Sequence, residues 1–142
     1  MMRKLSLTHG AAVCFSGGMV FKDAQNWIVS RNNDLPLRTT DGGDTWKPMD
    51  CPECQLLVDL KVRYGFIYSW TTKTLIMMGA GGEQSADHPH AAFVWMSKDD
   101  GLTWTDETSD MLVTMGPGAA NWYEEDFYIN SMGQGIMYKT LE

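Results

Sequence analysis

Apolar and polar positions alternate in short runs along this chain, most clearly in Gly65-Phe66-Ile67-Tyr68-Ser69-Trp70, and no segment shows a helical period. Runs rich in aromatic and β-branched residues, bounded by Gly, Pro, Asn and Asp clusters, predict strands over residues 10–21, 26–30, 35–39 and 45–49. A second series covers 57–70, 73–78, 91–97 and 103–107, and a third covers 111–115, 121–130 and 135–140. The fold class predicted is all-β, and the motif that closes the first two series groups the strands into units of four antiparallel strands.

The first two series close on the same motif. Thr39-Thr40-Asp41-Gly42-Gly43-Asp44-Thr45-Trp46 and Ser97-Lys98-Asp99-Asp100-Gly101-Leu102-Thr103-Trp104 both read S/T-x-D-x-G-x-T-W. Each residue has a task in a tight hairpin. The hydroxyls of Thr39 and Ser97 and the carboxylates of Asp41 and Asp99 can bond turn N–H groups, and Gly43 and Gly101 can take positive φ. Thr45-Trp46 and Thr103-Trp104 open the return strand.

This pattern resembles the Asp-box, or bacterial neuraminidase repeat, of sialidases and other β-propellers. The resemblance implies propeller blades, with the box aspartates engaged in the hairpin on the outer side of a blade and not catalytic. Read as blades, the chain forms one domain, 1–142, with units over about 10–50, 56–108 and 111–140. The box aspartates stand further apart than the roughly 40–50 residues of a typical blade. The excess falls in the Gly-rich stretch from Gly79 to His90, which reads as an exposed loop.

The third unit lacks a fourth strand, and Met2-Arg3-Lys4-Leu5-Ser6-Leu7-Thr8 is the strand-like segment left to supply it. Three blades do not close a ring, since propellers have about four or more. The prediction is therefore completion by oligomerisation: a homodimer exchanging residues 2–8 to give six blades, or docking onto a larger protein assembly.

Composition narrows the partners. With 44% hydrophobic and 20% charged residues the chain is an ordered globular protein, and at 142 residues one domain is expected. A net charge of −7 repels phosphate backbones, so nucleic acid is not an expected partner. No apolar run approaches the roughly 20 residues of a membrane-spanning helix. Arg3 and Lys4 precede a short apolar run from Gly10 to Phe15, but no small-residue cleavage site follows. The expectation is synthesis in the cytoplasm without a cleaved signal, and a short Asp-box chain of this kind looks, by analogy, like accessory tail, neck or capsid parts of phage virions.

Catalytic chemistry finds little support. The resemblance to sialidases would imply three substrate-binding arginines and a Phe/Tyr-Arg-Ile/Leu-Pro motif. The chain holds only Arg3, Arg31, Arg38 and Arg63, and its nearest stretch to that motif, Asn32 to Arg38, lacks the arginine before Pro36. No catalytic residue is assigned. Trp122, Tyr123, Glu124, Glu125 and Tyr128 put acids among aromatics, the composition of a glycan- or partner-binding surface, or of a glycoside hydrolase site formed across subunits. Cys51-Pro52-Glu53-Cys54 admits half a zinc site, a redox pair, a short disulfide or simply a turn between blades. Zinc would need two further ligands from Cys14, His9, His88 and His90, so Cys51, Cys54, His88 and His90 are weak candidates and no metal or cofactor is predicted. A thioredoxin-type role lacks its βαβ context.

Overall fold

The computed structural model describes residues 18–31, 33–80, 82–83, 93–108, 117–131 and 135–141. The segments 2–8, 10–17 and 111–115, the loop carrying His88 and His90, and Cys14, His9 and Glu142 lie outside the described residues.

Three antiparallel sheets follow one another along the chain. The first contains β1 (Met19–Phe21), β2 (Trp27–Arg31), β3 (Asp34–Thr39) and β4 (Lys47–Pro48), paired in that order. A helix, α1 (Pro52–Asp59), leads to the second, with β5 (Arg63–Ser69), β6 (Thr74–Ala80), β7 (Phe93–Ser97) and β8 (Thr105–Asp106). The third has β9 (Pro117–Tyr123), β10 (Asp126–Ser131) and β11 (Gly135–Thr140), with β10 in the middle. The predominantly β class is the one that the strand runs predict, and the sheets follow the blade-like units that the repeated motif marks off.

The second sheet is covered on both faces. Tyr64, Phe66, Tyr68, Leu75, Met77, Phe93 and Trp95 turn toward the first sheet, where Val20, Ile28 and Met49 meet them. Ile76, Val94 and Met96 turn the other way and pack on Phe127, Ile129 and Leu141 beside the third sheet. This burial explains why Leu75-Ile76-Met77-Met78 and Phe93-Val94-Trp95-Met96 are continuous apolar runs rather than alternations: a strand between two neighbours has no solvent face.

Three segments differ from the sequence reading. Residues 57–70 are not one strand, because α1 occupies 52–59 and β5 begins only at Arg63. The helix is eight residues long and buries only Cys54 and Leu57, too few positions to display a period. Pro52 at its start is where a helix tolerates proline, whereas in the sequence it read as a turn marker. Residues 121–130 are also not one strand. Tyr123 pairs with Asp126 across a turn at Glu124 and Glu125, with Glu124 at φ 52°, and the aromatic residues on either side mask the break. Finally, Gly79 and Ala80 belong to β6 rather than to a loop, Gly79 pairing with Tyr64 and Phe93. A Cβ there would stand 2.5 Å from Val62 Cγ1 and 2.9 Å from the Arg63 carbonyl oxygen, so the glycine is a close-approach residue.

Candidate functional site

The two repeated hairpins share one hydrogen-bond network. In the first, Thr39 Oγ1 accepts the Gly43 N–H at 2.9 Å and donates to Asp41 Oδ1 at 2.7 Å. Asp41 in turn accepts the Thr45 N–H at 2.9 Å and the Thr45 hydroxyl. In the second, Ser97 Oγ accepts the Gly101 N–H at 2.7 Å and donates to Asp99 Oδ1 at 2.8 Å, while Asp99 accepts both the N–H and the hydroxyl of Thr103. Hydrogen bonds from Thr45 and Thr103, side chain first, hold the carboxyls of Asp41 and Asp99 at about 2, against an ordinary 3.8. The turns take consecutive positive φ: Gly42 at 70° and Gly43 at 94°, Asp100 at 68° and Gly101 at 85°.

The hairpins part company at their tryptophans. Trp46 Nε1 donates to the Gly43 carbonyl at 3.1 Å. Trp104 packs 6.3 Å from the Phe66 ring, and its buried Nε1 has no hydrogen-bond partner among the described residues. The second turn instead reaches across to the first sheet. Asp100 pairs with Lys22 at 2.7 Å, and its carbonyl accepts from Arg38 Nη2 at 2.6 Å. Asp100 stands at an unspecified position of the repeated pattern, and its role appears only when the sheets are stacked.

The candidate residues of the third sheet divide between its two faces. Trp122 joins the packing against the second sheet and lies 5.8 Å from Trp70. Tyr123 and Tyr128 share the opposite face with Ile136 and Tyr138, as their cross-strand pairing requires. There Tyr123 is 68%, Ile136 75% and Tyr138 66% exposed, and the Tyr128 and Tyr138 rings stack at 5.7 Å and 25°. Glu124 and Glu125 sit at the β9–β10 turn, lining an open hollow of about 400 Å³ with Thr71, Asp126 and Thr140. The far face of the first sheet is comparable: Met19 is 48% and Phe21 42% exposed, and Phe21 meets Trp27 edge-on at 5.0 Å. The stacked sheets thus end in two aromatic faces, neither of which belongs to the packed interior described above.

Cys51 and Cys54 are joined as a disulfide, so in this form neither sulfur is a thiolate ligand. Among the described residues no group of three or more His, Cys, Asp or Glu could hold a metal ion, and no helix is long and apolar enough to cross a membrane. Tyr64, whose hydroxyl donates to the Asp34 carbonyl, has its phenol pushed up to about 12 by burial. Nothing in the sequence around Tyr64 marked it as a link between the first two sheets.

No family model and no curated protein matches the chain. The chain is similar in fold to solved structures of low sequence identity. One is "YCF48 from Cyanidioschyzon merolae", with a TM-score of 0.66 and 14% identity over 97% of this chain and 42% of that chain. Another is "YCF48 bound to D1 peptide", with a TM-score of 0.64 and 15% identity over 95% of this chain and 39% of that chain. The chain therefore spans about two fifths of the length of these structures. Stacking, strand order and this likeness agree: the chain has the fold of successive β-propeller blades, four-stranded in the first two and with three described strands in the third.

Proposed function

We propose that the chain is a non-catalytic interaction module of the β-propeller type whose partner is protein, in the first instance a second copy of itself. The observation that carries this reading is the pair of aromatic end faces, Met19, Phe21 and Trp27 at one end and Tyr123, Ile136 and Tyr138 at the other. Exposed apolar patches of this kind mark interaction surfaces. In a head-to-tail pair each end face of one copy covers the opposite end face of the other, and the ring closes with two identical junctions. Residues 2–8 would then add to the outer edge of β11 and complete the third blade. That a structure of similar fold is titled as bound to a peptide supports a protein partner. The matching hydrogen-bond networks of the two hairpins support the Asp-box reading. Self-assembly of this kind also suits a component of a larger particle such as a phage virion.

Light scattering tests the reading. The expected mass is that of a dimer, with Phe21→Asp and Tyr138→Asp each reducing it to a monomer while circular dichroism is unchanged. Mixing the two variants should restore a dimer, because one junction then joins two unaltered faces. A wild-type monomer at micromolar concentration, or no recovery on mixing, would overturn it.

A further inference from the structure

A helix begins at the Cys51-Pro52-Glu53-Cys54 motif. Cys51 is the N-cap of α1, Pro52 its first residue, and Cys54 lies within the first turn. Cys51 Sγ accepts the Cys54 N–H at 3.1 Å. Both cysteines belong to the buried core, Cys51 at 8% and Cys54 at 1% exposed, but Cys51 also lines an open hollow of about 260 Å³ between the first two blades, together with Arg38, Lys47, Asp50, Gly101 and Leu102.

We propose that this pair is a thiol–disulfide exchange site, reacting with a dithiol through the hollow at the first blade junction. The inference stands independently of the self-assembly reading. A thiolate of the incoming dithiol attacks Cys51 Sγ, the sulfur of the residue that lines the hollow. The Cys51–Cys54 bond breaks, its electron pair leaves on Cys54, and Cys54 takes up a proton. The second thiol of the reductant, as thiolate, then attacks its own sulfur in the mixed disulfide and releases Cys51. The sum is one disulfide reduced and one dithiol oxidised: two electrons pass to the protein, and of the dithiol's two protons one is matched by the proton that Cys54 takes up while the other stays in solvent, Cys51 remaining a thiolate.

Two features fit exchange better than stapling. The released Cys51 thiolate sits at the positive end of α1, with the Cys54 N–H already directed at it, which favours the reduced form and makes the bond more reducible. Lys47 adds positive charge from the hollow, Arg38 there is paired with Asp100 at 3.6 Å, and Asp50 and Glu53 oppose, so the helix end and its N–H tip the balance. As a staple the bond does less than one that closes a long loop: closure between residues three apart removes about half the chain entropy of a 15-residue loop.

The test uses the full chain with Cys14→Ser, to silence the third cysteine. Under native conditions it is exposed to dithiothreitol, quenched in acid, alkylated and weighed. The expected result is reduction within minutes at millimolar dithiothreitol without denaturant, and reoxidation by oxidised glutathione. Adding Cys54→Ser should give a chain that captures one glutathione on Cys51, whereas adding Cys51→Ser should leave Cys54 unmodified until denaturant is present. Lys47→Gln should slow exchange several-fold. A disulfide that resists dithiothreitol until the protein is unfolded, or equal capture by the two single-cysteine chains, would overturn the proposal. If the serine variants fail to fold, judged by circular dichroism, the reduction rate of the Cys14→Ser chain with and without Lys47→Gln decides alone.

Discussion

Phe127→Ala is expected to loosen the third blade while leaving the first two intact. Phe127 is fully buried near the start of β10, in the cluster with Ile76, Val94 and Met96 of the second sheet. The cluster it belongs to is much smaller than the one joining the first two blades, so few other contacts compensate for the lost ring. Truncating a buried phenylalanine costs about 3–5 kcal/mol, combining lost transfer energy with the cavity left behind. A domain is stable by only about 5–15 kcal/mol in all. If the third sheet opens as a unit, its amides should exchange with solvent roughly 10²–10⁴-fold faster, a tenfold change corresponding to about 1.4 kcal/mol. Hydrogen exchange read by mass spectrometry resolves the sheets separately. The expected pattern is rapid exchange in β10 and β11 and near-unchanged protection in β5, β6 and β7. Leu75→Ala, on the opposite face of the second sheet, should cost about 2–5 kcal/mol and loosen the first junction instead. Equal acceleration in all three sheets, or less than tenfold in the third, would refute the view that separate cores hold the blades.

The two tryptophans should respond differently to phenylalanine. Trp46→Phe deprives the Gly43 carbonyl of its donor and should lower stability by about 1–3 kcal/mol, whereas Trp104→Phe removes an unpartnered buried N–H and should stay within about 1 kcal/mol of the parent, both read from urea midpoints. Acid should destabilise the hairpins. Asp41 and Asp99 have folded values near 2 against 3.8, so the stability they contribute is full above about pH 4 and is lost as pH falls toward 2. Asp41→Asn should flatten the fall in urea midpoint over that interval, and an unchanged slope would show the carboxylate to be uninvolved. Gly79→Ala forces a methyl against Val62 and the Arg63 carbonyl and should cost about 1–3 kcal/mol, seen as a lower thermal midpoint.

The sequence by itself determined the hairpins and most of the strands. Thr39, Asp41, Gly43 and Thr45 bond to one another within seven residues of chain, as do Ser97, Asp99, Gly101 and Thr103, so the side chains that build each turn are written beside it. Runs of aromatic and β-branched residues bounded by Gly, Pro, Asn and Asp likewise placed β2, β3 and β11. What lay beyond the sequence depends on which surface meets which. Helix α1 forms because Leu57 and Cys54 have a core to enter, not because eight residues carry a period. Asp100 latches onto Lys22 and Arg38 only after two sheets are stacked, and Trp104 forgoes the bond that Trp46 makes because it packs toward Phe66. The candidate cluster from Trp122 to Tyr128 was legible as a composition, yet its division into a packed face and an exposed one was set by the β9–β10 turn. Hydrogen bonds across a few residues are a local property of the chain; burial on two faces at once is a property of neighbours, and only the tertiary structure names them.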